Sequence, residues 1–164
     1  MENLDLRMLR YMRTHGHSPG IERAAKALGQ AGNNATVWVV LGMTLALLDP
    51  ARLEAWLICA ALGPIAIVLN YGIKLVVRRP RPVLEGLPPL GGAPSSLSFP
   101  SAHALSSFAV ATAMFRVDPA TAAAFVVAFV LSLGRPYLGM HYPSDVLAGA
   151  LLGVALGLIV PLSL

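Results

Sequence analysis

Five long apolar segments, separated by short polar stretches, occupy most of the chain from residue 35 onwards. They are Ala35–Leu48, Ala55–Val77, Ala102–Phe115, Ala120–Leu133 and Val146–Val160. A helix that crosses a bilayer needs about 20 apolar residues. The second segment meets this length alone, whereas the others need their flanking residues. The pattern predicts an all-α fold, a polytopic transmembrane helical bundle with about five spans.

The chain before residue 34 has an amphipathic pattern instead. Apolar residues recur at helical spacing, among charged ones, at Leu4, Met8, Leu9 and Met12. A second helix is predicted to begin at Ser18-Pro19, because serine suits the N-cap and proline the first helical position. Such helices are typical of the headgroup region of a membrane, and a soluble helical hairpin is the alternative. We expect a single membrane-embedded domain over residues 1–164, with interfacial helices in 1–33 and the transmembrane bundle in 35–161.

Composition supports a membrane protein and argues against a nucleic-acid partner. The chain is 56% hydrophobic and 12% charged, whereas a soluble domain is about a quarter charged. The net charge of +4 comes from basic residues near helix ends, which are too few to follow a phosphate backbone. Anionic lipid headgroups are the better partner for this charge. The single cysteine, Cys59, lies in an apolar segment and is interpreted as a packing residue.

Unusual polar residues converge on one side of the membrane if the spans alternate in direction. They are Lys74, Arg81, Ser101, His103, Arg135, His141 and Asp145. Ionisable residues at span ends are often interfacial anchors. However, three cations, two histidines and a carboxylate near lipid are costly to keep, and such a group indicates a functional site.

This group has the chemistry of a phosphate site. A lysine and two arginines form an electropositive cradle, and arginine binds phosphate oxygens bidentately. Pro100-Ser101 opens a helix whose free N–H groups are expected to point the same way. One histidine can attack phosphorus while the other protonates the leaving alkoxide. Asp145, four residues after His141, can accept from that imidazole and hold its tautomer.

Three ordered motifs carry a family resemblance. Lys74-xxxxxx-Arg81-Pro82, Pro100-Ser101-Ala102-His103 and Arg135-xxxxx-His141-xxx-Asp145 are similar to the signature motifs of the type 2 phosphatidic acid phosphatase superfamily. The resemblance implies that His141 is the nucleophile, forming a phosphohistidine, that Asp145 orients it and that His103 is the general acid. It implies phosphate binding by Lys74, Arg81, Ser101, Ala102 and Arg135. No metal and no other cofactor is expected.

Two positions depart from the family pattern. Ala102 stands where the family usually has glycine, and Gly134 stands where it usually has serine. Ala102 keeps its backbone N–H, and the change at Gly134 removes one potential phosphate donor. Because the nucleophile, the acid and the cations all remain, we expect an altered rate or specificity and not an inactive enzyme.

Other classes of function fit the same residues less well. A metal site built from His103, His141 and Asp145 would suffer repulsion from the neighbouring cations. Vanadate-dependent peroxidases, which share the family motifs, are typically large and soluble. A transporter would carry its polar groups near the bilayer midplane. A non-catalytic lipid-binding protein would have no reason to keep both histidines and the aspartate.

The distribution of basic residues predicts the orientation. Without Lys74, Arg81 and Arg135, seven lysines and arginines remain on the motif side, against Arg52 and Arg116 on the other. The positive-inside rule then predicts an inner-membrane protein with its site at the cytoplasmic face. This argues against an undecaprenyl diphosphate phosphatase working at the outer face. It favours a lipid phosphate of the inner leaflet as partner: phosphatidic acid, phosphatidylglycerophosphate or a polyprenyl-phosphate sugar with a terminal phosphate. The last resembles the substrate of small actinobacterial members that act on decaprenylphosphoryl phosphoribose.

Three features outside the motifs leave alternatives open. Gly149, Gly153 and Gly157 form a stripe suited either to packing within the chain or to an oligomer interface. Asn70 is predicted either to hydrogen-bond across helices or to orient Lys74. Arg78 and Arg79 are interpreted as headgroup anchors, with contact to a second phosphate as the alternative.

Overall fold

The computed structural model describes residues 4–91 and 97–162 and has seven α-helices there. Residues 1–3, 92–96 and 163–164 of the predicted domain lie outside the described residues. The helices are α1 (Leu4–Thr14), α2 (Pro19–Ala31), α3 (Thr36–Leu48), α4 (Leu53–Val77), α5 (Ala102–Val117), α6 (Ala123–Tyr137) and α7 (Pro143–Ile159). Three short 3-10 turns precede α3, α4 and α6. No strand occurs in these ranges, and the predicted all-α class is confirmed.

Helix α2 begins where the sequence indicates. Ser18 is its N-cap, and the hydroxyl of Ser18 accepts from the Ile21 backbone N–H at 3.3 Å. The chain then turns sharply between α2 and α3, where Asn34 and Ala35 have positive φ angles of 55° and 59°. The two helices meet at a bend of 57°. This bend brings the end of α2 towards the start of α5.

The number of spans is smaller than predicted when length and apolarity are applied strictly. Two helical segments are long and apolar enough to cross a membrane, Pro50–Val77 and Pro119–Tyr137, and the bent pair of α2 and α3 is a third if it forms one span. Helix α7 is apolar but shorter. Five spans are therefore not confirmed, although the chain is helical and apolar as a membrane protein requires.

Helix α5 is the centre of the bundle and packs against α4, α6 and α7. Most of its residues are buried, including Ser106, Ser107 and Thr112. Because protein and not lipid surrounds it, α5 tolerates hydroxyl groups that a lipid-facing helix would avoid. Trp38 of α3 donates to the Ser107 hydroxyl at 2.9 Å and ties α3 to this core.

The glycine stripe of α7 packs against α5 within the same chain. A Cβ atom at Gly149 would lie 2.6 Å from the Ser101 carbonyl oxygen, and Gly153 and Gly157 approach the carbonyls of Leu105 and Ala109 similarly closely. All three glycines are buried. Of the two alternatives for this stripe, packing within the chain is the one observed, because α5 already occupies that face.

Candidate active site

The three motifs meet at one end of the bundle. Lys74 lies in the last turn of α4, Ser101 caps α5, and Arg135 lies in the last turn of α6. His141 is in the turn between α6 and α7, and Asp145 is in the first turn of α7. Helices α5 and α7 are joined directly at this end, since the Ser101 N–H donates to the Asp145 carbonyl oxygen at 3.0 Å.

Capping of α7 fixes the Asp145 side chain. Pro143 is the first helical residue, and the Asp145 carboxylate folds back to accept from the Tyr142 backbone N–H at 2.9 Å. This satisfies an amide at the helix start that has no partner within the helix. The same geometry aims the carboxylate at the preceding turn, which carries His141.

His141 lies between a carboxylate and a guanidinium. Its Nδ1 is 3.5 Å from Asp145 Oδ2, somewhat longer than a hydrogen bond, and its Nε2 is 3.3 Å from Arg81 Nη1. The side chain is 3% exposed. Burial, opposed by Asp145 and reinforced by Arg81 and Arg135, lowers the pKa of His141 to about 4. In a neutral imidazole whose Nδ1 faces the carboxylate, the lone pair is on Nε2.

The three cations reach the same region, and two of them donate to backbone oxygens. Lys74 Nζ donates to the Leu97 carbonyl at 2.7 Å, and Arg81 Nη1 donates to the Met140 carbonyl at 2.5 Å. Lys74 and Arg135 are both buried, and Arg135 Nε has no hydrogen-bond partner. Within the described ranges, neither Lys74 nor Arg135 forms an ion pair. Buried cations without an anion form a site that is electrostatically prepared for one.

His103 contacts the end of α2. Its Nε2 lies 3.0 Å from the Gly29 carbonyl oxygen, and a Cβ atom at Gly32 would meet the imidazole within 2.9 Å. The absence of a side chain at Gly32 therefore permits this close approach. The amphipathic N-terminal region thus forms one wall of the site.

A cavity of about 340 Å³ opens beside Arg135, between α2 and the turn after α6. Lys26, Gln30 and Asn33 line its α2 side, and Arg135 and Met140 line the opposite side. Its mixed polar and apolar lining and its position beside the buried Arg135 guanidinium leave room for a polar group.

Arg79 is a component of the site that sequence reasoning missed. Its Nη1 lies 2.7 Å from Asp145 Oδ1, and its Nη2 lies 2.8 Å from Asp5 Oδ2 in α1. The interpretation as a headgroup anchor is wrong, because the guanidinium is committed to two carboxylates. The one sequence feature that could have indicated a role in the site is the position of Arg79 two residues before Arg81. Its partner Asp5, however, lies 74 residues away in the chain.

The structure also gives the positions of the other residues singled out from the sequence. Asn70 donates to the Pro100 carbonyl at 3.0 Å, so it bonds across to the segment that leads into α5. Ala102 is the first residue of α5, and its backbone is helical with a negative φ angle, which does not require glycine. Gly134 lines an apolar groove between α2 and α6 and does not line the polar cavity. No cluster of three or more metal-ligating side chains occurs among residues 4–91 and 97–162.

Comparison with known proteins gives a consistent result. The family model described as PAP2 superfamily matches residues 54–164. The decaprenylphosphoryl-5-phosphoribose phosphatase of Mycolicibacterium smegmatis is 40% identical over 131 residues, which cover 80% of this chain and 72% of the relative.

Two solved structures share the fold. Aquifex aeolicus LpxE superposes with a TM-score of 0.76 at 24% identity, covering 96% of this chain and 94% of that one. A transmembrane PAP2-type phosphatidylglycerolphosphate phosphatase from Bacillus subtilis superposes with a TM-score of 0.74 at 22% identity, covering 94% and 81%.

Proposed function

The chain belongs to the PAP2 superfamily and is a membrane lipid phosphatase, and we propose that His141, His103 and the three cations carry its reaction. The observation behind this assignment is the arrangement of His141. It lies between Asp145 and Arg81, beside two buried cations that form no ion pair within the described part of the chain. Both ring nitrogens of His141 then have defined roles, one oriented by the carboxylate and the other directed at the anion-binding region.

The reaction follows from these positions. Lys74, Arg81 and Arg135 bind the phosphate oxygens, with the Ser101 and Ala102 start of α5 adding the positive end of a helix dipole. His141 Nε2 attacks phosphorus while the bond to the lipid oxygen breaks, and His103 donates a proton to the leaving alkoxide. Water then attacks the phosphohistidine, His103 accepts its proton, and phosphate leaves. The charge that develops on phosphate meets cations already in place, and such preorganised electrostatics are a large part of catalysis.

Two contacts change when substrate binds. Arg81 moves its Nη1 from His141 Nε2 to a phosphate oxygen, which exposes the attacking nitrogen. His103 exchanges the Gly29 carbonyl for the leaving oxygen. Both exchanges replace a protein contact by a charge-assisted contact with substrate, which is stronger.

The substrate is a phosphomonoester on a polyprenyl-linked sugar. The polar cavity beside Arg135 supports this choice, because Lys26 and Gln30 offer hydrogen-bond donors to a hydroxylated group next to the phosphate. The Mycolicibacterium smegmatis relative is named for such a substrate. Phosphatidic acid, whose phosphate is joined directly to diacylglycerol, would leave these polar groups without a partner.

The protein is a single domain in the inner membrane, with α1 and α2 in the interfacial region and the site at the cytoplasmic face. The contacts of α1 and α2 with the site end support this orientation, since they bring the basic N-terminal segment to that side. The positive-inside rule then favours cytoplasmic exposure.

Phosphate release from a lipid panel tests the substrate. Purified protein in detergent is given a polyprenyl-phosphosugar phosphate, phosphatidic acid, phosphatidylglycerophosphate and undecaprenyl diphosphate. We expect the highest kcat/KM for the polyprenyl-linked phosphosugar. Lys26→Ala should lower kcat/KM for that lipid but not for phosphatidic acid. Arg23→Ala is the matched control, because Arg23 is exposed and bonds only its own helix. Equal kcat/KM for all lipids, or no effect of Lys26→Ala, would contradict the substrate assignment.

A further inference from the structure

We propose that Arg79 and Asp5 are positioning residues for Asp145, so that the amphipathic helix α1 is a functional part of the active site. The proposal rests on the assignment of His141 as nucleophile. It goes beyond that assignment by giving a role to two residues outside the three motifs.

Asp145 requires a charge partner. Its side chain is completely buried, and burial of an ionised carboxylate without compensation is strongly unfavourable. Arg79 is the cation in direct contact with it, 2.7 Å from Oδ1, and the charges of Lys74 and Arg81 add to this compensation.

The two oxygens of Asp145 have separate partners. Oδ1 accepts from Arg79, whereas Oδ2 accepts from the Tyr142 N–H at 2.9 Å and faces His141 Nδ1. Contacts to both oxygens fix the rotation of the carboxylate plane. Arg79 therefore determines where Oδ2 lies, and Oδ2 is the oxygen that orients the nucleophile.

Arg79 is itself held in place by α1. Asp5 Oδ2 accepts from Arg79 Nη2, and Asp5 Oδ1 accepts from the Ser144 backbone N–H at 3.0 Å. The Ser144 hydroxyl donates to Asp5 and accepts from Arg79 Nη1 at 2.8 Å. The guanidinium carbon lies 3.9 Å from the centre of the Tyr142 ring. These contacts form a closed arrangement that links α1, the segment after α4 and the start of α7.

The charges of this arrangement explain why Arg79 and Arg81 have different tasks. Burial alone would raise the pKa of Asp5, but hydrogen bonds from Arg79 and Ser144 outweigh it and lower the pKa. Asp5 is therefore ionised and attracts Arg79 away from the phosphate-binding region. Arg81, two residues later, faces His141 instead.

Removal of the Asp5 charge and removal of the Arg79 charge have opposite electrostatic effects on His141. Loss of the Asp5 charge leaves Arg79 less neutralised, which disfavours protonation of His141. Loss of the Arg79 charge leaves Asp145 uncompensated, which favours protonation. The other charged or titratable groups that face His141 are Asp145 on α7, Arg135 on α6, His103 on α5 and Arg81 after α4. None of these is changed by either substitution.

The test compares Asp5→Asn, Arg79→Lys and Arg79→Gln in the full-length protein. Arg78→Lys is the matched control for Arg79, since the Arg78 side chain is exposed and donates to the Leu75 carbonyl of its own helix. Arg7→Gln, an exposed position on α1, is the control for Asp5. Asp5→Asn keeps an oxygen for the Ser144 N–H, and thermal melting in detergent verifies that each variant is folded.

We expect kcat to fall roughly 10-fold for Asp5→Asn and roughly 100-fold for Arg79→Lys, because a small displacement of a reacting group has effects of this size. KM should stay within about twofold, since the phosphate-binding cations are intact. The acid limb of kcat/KM should move to lower pH in Asp5→Asn and to higher pH in Arg79→Gln. A kcat per folded enzyme equal to wild type in both Asp5→Asn and Arg79→Lys would overturn the proposal, as would shifts of the acid limb in the same direction.

A second readout does not depend on turnover. NMR of isotope-labelled histidine, with His141→Ala used to assign the signal, reports the Nδ1 environment of His141 directly. The proposal expects this signal to change in Asp5→Asn and not in Arg7→Gln, and an unchanged signal would overturn it. An inactive wild type would contradict the proposed function alone, and this measurement would still decide the role of Arg79 and Asp5.

Discussion

The two ends of the bundle both carry charged residues, but they use them differently. At the end opposite the site, Arg52 pairs with Asp49 at 2.5 Å and with Asp118 at 2.9 Å, and these side chains are between a quarter and two fifths exposed. Trp56 also donates to Asp49 at 3.0 Å. At the site end, Lys74 and Arg135 are each 6% exposed and form no ion pair in the described ranges.

This difference separates structural charge from functional charge. Exposed ion pairs with complete partners hold turns together and contribute little energy each. Buried cations such as Lys74 and Arg135, which form no ion pair in the described ranges, are costly in the empty state, and we expect an arriving phosphate to reduce that cost. We therefore expect the anion to bind at the end with incomplete pairing.

The largest effect is expected for the cation beside the cavity. Arg135→Gln should lower kcat/KM roughly 1000-fold, because a preorganised donor to the developing charge is lost. Initial rates of phosphate release with the preferred lipid measure this. Arg52→Gln is the matched control, because it removes one arginine at the opposite end. An equal fall in kcat/KM in the two variants would contradict the distinction between structural and functional charge.

The next effect concerns the proton given to the leaving group. His103→Asn should lower kcat/KM, which reports the step in which the leaving group departs, roughly 100-fold for a lipid alkoxide. For an aryl phosphate, whose leaving group needs no proton, the loss should be less than about fivefold. Parallel assays of the two substrates give this ratio. An equal loss with both substrates would show that His103 acts on something other than the leaving oxygen.

A smaller effect is expected in the pH profile. Because burial lowers the pKa of His141 to about 4, the neutral, attacking form persists well below the ordinary histidine value of 6.5. The kcat/KM for an aryl phosphate should therefore fall only as the pH approaches about 4. A half-maximal value near pH 6.5 would indicate a solvated His141 and contradict its buried position.

The smallest effect on activity belongs to the opposite end. Arg52→Gln breaks both ion pairs, but kcat/KM should stay within about twofold, because the proposed site lies at the other end and exposed ion pairs contribute little. Thermal melting should detect the loss that the assay does not. A large drop in kcat/KM with an unchanged melting temperature would mean that the two ends are coupled.

The sequence alone predicted those parts of the site whose residue spacing is set by their chemistry. The order from Lys74 to Asp145 predicted a single cluster because alternating spans return to the same side, and Ser18-Pro19 marked the start of α2. Contacts between distant segments were not predictable in this way. Nothing near Asp5 indicates that it meets Arg79, and the glycines of α7 suit either of two packing partners. The count of five spans is not confirmed, because α5 and α7, with 16 and 17 residues, are shorter than a helix that crosses a bilayer alone, and helix ends are poorly marked in the sequence.

Trapping the phosphoenzyme tests the central claim most directly. Purified protein is mixed with radiolabelled lipid phosphate in the presence of a chelator, quenched rapidly and digested to locate the label. We predict an acid-labile, base-stable phosphohistidine at His141 that is absent from His141→Ala and retained in His15→Ala, where the substituted side chain is exposed and bonds Thr14 and the Tyr11 carbonyl. Phosphate release without labelled protein, label at another residue, or activity that disappears with the chelator would contradict the account.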